Sequence, residues 1–225
     1  MMAPRAAGDR PVLITGGAGF IGTNLAHHLA GRGHVVRVLD DLSRPGIDQN
    51  LAWLCAQHGD RIEPRLADVR DRDAVRAAVE DAAVVFHFAG QTAVTTSLVD
   101  PCHDFSVNAQ GTLEVLEAVR GLPVPPPVVF ASTNKVYGSL PDLPLRVENL
   151  RWRPVDDAVE ARGIDEQREL AFRTPYGCSK GAADQDVLDY AQSFGIPAVV
   201  FRMSCIYGPH QFGTEDQGWV AHFLI

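Results

Sequence analysis

Gly16-Gly17-Ala18-Gly19-Phe20-Ile21-Gly22 follows directly on the apolar run Val12-Leu13-Ile14-Thr15, and no other feature restricts the fold so strongly. A glycine at 16 permits a tight turn out of a strand, and one at 19 lets a pyrophosphate approach the backbone. One at 22 lets the following helix pack closely on the sheet. The first amides of that helix have no intrahelical partner and carry the positive end of its dipole, which suits a phosphate. Gly16, Gly19, Phe20, Ile21 and Gly22 are therefore the first candidate contacts to a dinucleotide.

The remainder of the chain repeats the strand-then-helix pattern. Apolar runs at 12–15, 35–39, 62–66, 84–88, 128–132 and 198–202 read as strands, most of them nearly continuous, as parallel strands covered on both faces are. Helices are expected near 20–31, 49–58, 71–80, 108–120 and 176–194. Such alternation predicts right-handed β-α-β units and a Rossmann-like, doubly wound α/β sheet. The prolines from 123 to 127 cannot lie inside a helix and lead onto the fifth strand. Residues 140–174, rich in Arg, Asp and Glu, show little periodicity and read as a long excursion between strand and helix. That excursion is either a substrate-side flap or a solvated insertion.

In a doubly wound sheet, ligands bind beyond the carboxyl ends of the strands. The second strand ends in Asp40-Asp41-Leu42-Ser43-Arg44. A carboxylate here accepts bonds from ribose hydroxyls and repels a 2′-phosphate, which favours NAD over NADP, and Arg44 softens that preference. Asp68-Val69 follows the third strand and is placed to meet the adenine. Ala89-Gly90-Gln91 follows the fourth, where small residues let a cofactor lie against the backbone. His87, just before, is read as a core residue.

The fifth strand leads into Ser132-Thr133-Asn134-Lys135-Val136-Tyr137-Gly138. Further on, Tyr176 and Lys180 stand four residues apart and share one helical face. An ammonium beside a phenol favours the phenolate. Tyr176 can then take a proton from a hydroxyl while hydride leaves the carbon, with Thr133 bonding the same oxygen.

With these motifs, the chain resembles the extended short-chain dehydrogenases/reductases, in their NAD-dependent epimerase/dehydratase group. Within that group it is similar to the 2-epimerases of CDP-linked dideoxyhexoses. The likeness runs through Ala89-Gly90-Gln91 with Thr95-Thr96-Ser97, through 132–138, through 175–185 and through Asp216-Gln217-Gly218-Trp219. It implies transient oxidation of a sugar hydroxyl by tightly held NAD, followed by re-reduction from the other face. It implies Thr133, Tyr176 and Lys180 as catalytic residues and Asn108 as a residue that positions the helix and the lysine. Thr95, Asn134, Ser204 and Cys205 would meet the sugar nucleotide. It also implies an NAD-binding domain over residues 1–202, including 140–174, with residues 203–225 beginning a substrate domain whose remainder is absent, since members continue for about a hundred residues more. A homo-oligomer is the usual assembly. The chain departs from the group at Cys205, where Asn is common, at His210, where Arg is expected, and at Gly213-Thr214-Glu215.

Other readings share parts of this machinery. A 4,6-dehydratase needs an acid/base pair beside the threonine, usually Asp-Glu, and Asn134-Lys135 stands there instead. A UDP- or dTDP-sugar 4-epimerase or a decarboxylase uses the same hydride chemistry. A non-catalytic NAD-binding protein would share the fold without the reaction. The net charge of −8 makes nucleic acid and anionic membranes poor partners. The four cysteines form no C-x-x-C pair, so no metal site is expected, and reduced thiols suit a cytoplasmic protein. No secretory signal is read in the first ten residues.

Overall fold

The computed structural model describes residues 10–224, so most of the stretch read for a signal lies outside the described residues. Six parallel strands form one sheet in the order β3-β2-β1-β4-β5-β8. The strands are β1 (Val12–Thr15), β2 (Val36–Asp40), β3 (Ile62–Leu66), β4 (Val84–His87), β5 (Val128–Thr133) and β8 (Ala198–Met203). The order reverses between β1 and β4, and a crevice opens at such a switch point. Helices α1 (Phe20–Gly31) and α2 (Ile47–His58) cover one face. Helices α3 (Arg72–Val79), α6 (Gly111–Arg120) and α8 (Thr174–Phe194) cover the other.

Strand alternation divides the core into two layers. Val12, Ile14, Val36 and Val38 pack with Ala26, Ala30 and Leu54 under α1 and α2. Leu13, Leu39 and Val85 point the opposite way, onto Val75, Val79, Val115 and Val119. Each fully buried side chain of this size contributes roughly 1.5–3 kcal/mol. β8 differs from the expectation of strands covered on both faces. Ala198 and Val200 pack toward α8, while Val199 and Phe201 remain 43% and 53% exposed.

Two segments carry more structure than their sequence suggests. The helix expected over 108–120 is preceded by α4 (Val94–Val99), α5 (Pro101–Phe105) and a wide π-turn (Ser106–Gln110). Asp100 caps α5 by accepting the His103 amide, and Pro101 opens it, so the local start signal is present. The excursion over 140–174 contains an antiparallel pair, β6 (Leu145–Glu148) and β7 (Arg151–Pro154), and helix α7 (Asp157–Arg162). β6 is exposed along its whole length, with Leu145 and Val147 alternating with Arg146 and Glu148 but burying no face, and β7 is exposed over its first half. The excursion ends by pressing Phe172 onto α8, where a Cβ on Gly181 would come within 2.5 Å of the Phe172 ring. No helix among the described residues is long and apolar enough to cross a membrane.

Candidate active site

The glycine turn is built as the spacing predicts. Gly16 has φ +66°, and a Cβ there would stand 2.6 Å from the Ala89 amide, so only glycine lets β1 and the end of β4 approach this closely. Helix α1 has Gly19 at its N-cap and no side-chain cap, which leaves the amides of its first turn free. By contrast, α3 is capped by its own Asp71. Asp40 is buried at 7% exposure and accepts from the amides of Ala18 and Leu42, both at 3.0 Å. It thus ties the end of β2 to the glycine turn, and burial pushes its carboxyl above the ordinary value. Asp41 is exposed and accepts from the amide and hydroxyl of Ser43.

The neighbouring candidates divide. Asp68 is closed off by a bidentate Arg70, which holds its carboxyl below the usual range. Val69 lies in the core, against Gly111. Arg44 reaches Thr92 Oγ1 at 3.1 Å and the Phe212 carbonyl at 3.2 Å. It helps fasten a strap over residues 208–212, to which Asn24 donates at the Pro209 carbonyl and Asn50 at the His210 carbonyl. Nothing in the local sequence announced this strap, because each tie spans more than a hundred residues.

His87 is a core residue, at 1% exposure. The Thr112 hydroxyl donates to the Asn108 carbonyl at 2.6 Å, so its oxygen is free to accept from His87 Nε2 at 2.9 Å. His87 Nδ1 then carries the lone pair that accepts the Thr15 hydroxyl at 2.7 Å. Burial, aided by the Lys180 charge, lowers the imidazole pKa to about 3.

Beyond β5 and the start of α8, Thr133, Tyr176 and Lys180 come together. Thr133 caps a short 3₁₀ turn (Asn134–Tyr137) by accepting the Lys135 amide at 3.2 Å. Its side chain also offers a hydrogen bond to the Tyr176 phenol. The backbone amide of Tyr176 donates to buried Ser97 on α4 at 3.2 Å, so α4 orients the first turn of α8. Lys180 is 6% exposed, with its ammonium 4.2 Å from the Phe130 ring centroid. It has no hydrogen-bond acceptor among the described residues. Burial lowers its pKa to about 8, against the upward pull of Asp184 and Asp104. The phenol corrects one expectation: burial holds Tyr176 above its ordinary value, the Thr133 bond working against this and the Asp104 charge adding to it. Lys180 is not what sets the phenol in this state.

Asn108 lies in the π-turn, 1% exposed. It accepts the Gln91 amide at 2.9 Å and donates to Ser179 at 3.0 Å, which joins the end of β4 to α8. A Cβ on Gly90 would sit 2.9 Å from the Asn108 side chain, so Ala89-Gly90-Gln91 is held flat beside the lysine. Thr95, Asn134, Ser204 and Cys205 are exposed, and none of their side chains makes a hydrogen bond among the described residues. Asp184 went unread: it is 0% exposed, accepts from Ser132 at 2.6 Å, and takes a bidentate pair from Arg202 at 2.8 and 3.0 Å.

A parallel sheet with a glycine-lined crevice at its switch point defines a dinucleotide-fold protein of the short-chain dehydrogenase type. Residues 12–225 match the NAD dependent epimerase/dehydratase family, and the chain belongs to that family. It is 45% identical over 214 residues to the CDP-paratose 2-epimerase of Salmonella typhi, an alignment covering 94% of this chain and 62% of that protein. It is 34% identical over 204 residues to a dTDP-glucose 4,6-dehydratase of Mycolicibacterium smegmatis, covering 89% of this chain and 54% of that one. Among solved structures, the UDP-glucose 4-epimerase of Thermus thermophilus in complex with NAD is similar, with a TM-score of 0.73 and 33% identity over 94% of this chain and 60% of that one. The chain thus spans about six tenths of the length of these relatives.

Proposed function

We propose that this chain is the dinucleotide-binding part of an NAD-dependent nucleotide-sugar epimerase, acting at C2 of a CDP-linked hexose. The observation that carries the reading is the Tyr176 phenol against Thr133, with the buried Lys180 ammonium, which has no hydrogen-bond acceptor among the described residues, one turn along α8. The residues present fit the dinucleotide. Gly16 leaves a backbone cradle that a Cβ would fill, the first amides of α1 are uncapped, and Lys180 has a charge without an acceptor. Gly16, Gly19, Phe20, Ile21 and Gly22 would hold the pyrophosphate, and the segment from Asp40 to Arg44 the adenosine ribose. Asp68 and Val69 would border the adenine through their backbone, since neither side chain is free. Ala89, Gly90, Gln91, Asn108 and Lys180 would line the nicotinamide half.

When bound, oxidised NAD supplies a hydride acceptor and a positive ring that favours the phenolate. Tyr176 then removes the proton from a sugar hydroxyl, Thr133 bonds the same oxygen, and the Lys180 ammonium stabilises the phenolate. Tyr176 returns the proton when the carbonyl is reduced from its other face, so the acid–base cycle closes with no net redox change. Thr95, Asn134, Ser204 and Cys205, all exposed, would meet the sugar nucleotide, with residues 203–225 opening the substrate domain. The 45% likeness to a CDP-sugar 2-epimerase favours that substrate over UDP- or dTDP-sugars.

The test is a panel of CDP-, UDP-, GDP- and dTDP-hexoses followed by NMR, without added cofactor, on protein shown to release NAD on denaturation. Inversion at C2 of a CDP-sugar is expected. Tyr176→Phe should lose about 10²–10⁴ in turnover while still releasing NAD. Full turnover by that variant would sink the mechanism, and inversion at C4 of a UDP-sugar would replace the substrate.

A further inference from the structure

The proposed chemistry leaves one buried carboxylate beside the site unused. Asp104, on α5, is 0% exposed, and both its direct partners are neutral. The Ser179 hydroxyl donates to Oδ2, and Asn108 Nδ2 donates to Oδ1 at 3.3 Å. Asn108 Nδ2 also donates to Ser179 Oγ at 3.0 Å, so the three side chains close a triangle between α5, the π-turn and α8. Ser179 immediately precedes Lys180.

The charge balance around Lys180 makes Asp104 distinctive. Asp184, the other buried carboxylate nearby, is already matched by Arg202. Asp104 has no cation within salt-bridge distance among the described residues, and Lys180 has no acceptor. The charged or titratable groups that act on Lys180 are Asp184 from α8, Asp104 from α5 and His87 from β4, with the Phe130 ring of β5 under the ammonium and Tyr176 one helical turn earlier. Arg202 of β8 is engaged by Asp184, and His103 beside Asp104 is exposed. His87 is neutral, so the buried charges that offset the lysine are Asp184, which it shares with Arg202, and after it Asp104.

We propose that Asp104 is a positioning residue of the reaction centre: through Ser179 it holds the turn of α8 that carries Lys180, and it sets a buried carboxylate, hydrogen-bonded only by neutral groups, near that ammonium. The inference rests on the reading that Tyr176 and Lys180 act together as the acid–base pair. Charge in a water-poor interior acts over several ångströms, because little solvent screens it. Asp104 pulls both Lys180 and Tyr176 upward, so removing its charge lowers both.

The experiment follows the Tyr176 phenol by its tyrosinate absorbance, as a difference against Tyr176→Phe, in the protein with and without NAD. It is paired with the pH profile of turnover. In Asp104→Asn, the phenol transition and the alkaline limb of turnover should both move down by about one pH unit. Asp104→Glu should keep both in place at a reduced rate. Ser179→Ala should lower the melting temperature and leave the phenol transition where it is. An Asp104→Asn protein with unmoved transitions overturns the proposal, as does a Ser179→Ala protein that reproduces the full shift. Asp104→Asn sets an amide donor against that of Asn108. If it does not fold, Asp104→Asn/Asn108→Asp returns a carboxylate to the triangle and should titrate like the wild type, and a one-unit fall there overturns the proposal equally. Phenol shifts as stated without turnover of any sugar nucleotide would defeat the epimerase reading alone. Turnover without the shifts would defeat this one alone.

Discussion

His87 offers a measurable consequence of burying an ionisable group as a structural one. The imidazole has hydroxyls on both nitrogens, and the Thr112 proton is committed to the Asn108 carbonyl. A second ring proton would displace the hydrogen bond that the Thr15 hydroxyl donates to Nδ1 at 2.7 Å. Burial, helped by the Lys180 charge, lets the folded protein take up that proton only near pH 3, against 6.5 in the unfolded chain. With the folded value depressed, the unfolded state binds the extra proton first as the pH falls. The contribution to stability is complete above about 6.5 and is lost progressively on acidification toward 3. Between about pH 7 and about pH 4 this one site removes about 3 kcal/mol, a large share of the roughly 5–15 kcal/mol that holds a domain together. The assay is the urea midpoint measured across that range for the wild type and for His87→Asn, which keeps an acceptor for Thr15 but does not titrate. The variant should start less stable and fall less steeply, the difference closing by about 3 kcal/mol. Two curves that stay parallel would refute the assignment of a buried neutral imidazole.

Other consequences follow from single contacts. Arg202→Met leaves the 0% exposed Asp184 carboxylate without its cation and should cost about 3–5 kcal/mol in chemical denaturation. Gly181→Val pushes a side chain into the Phe172 ring, within 2.5 Å of where a Cβ would stand, and should lower stability by about 1–3 kcal/mol. Adding Phe172→Ala should return part of that loss. Turnover should fall as the pH rises through about 8, where Lys180 gives up its proton, and a profile flat to well above that value would show that the ammonium is not required.

The sheet and the glycine turn were legible because they depend on local rules. Apolar runs, tight-turn glycines and a tyrosine four residues before a lysine act through neighbours in the chain, so six strands and the 21-residue α8 appear close to where periodicity placed them. The hairpin and short helix over 140–174 stayed hidden because they are only four to six residues long and bury almost nothing; the alternation of Leu145 and Val147 with Arg146 and Glu148 is too short to stand out. Helices α4 and α5 were passed over because each is shorter than two turns.

What the chain's order alone determined was the kind of crevice and the presence of a phenol, an ammonium and a hydroxyl at its rim. Only the packed structure decided their states. Burial, not the lysine, governs the Tyr176 phenol, and Asp68, legible as an adenine contact, spends its carboxylate on Arg70. Asp104 and Asp184 act on Lys180 from two helices, although one lies 76 residues before it and the other a single turn beyond it in sequence. Desolvation and charge pairing depend on distance through space.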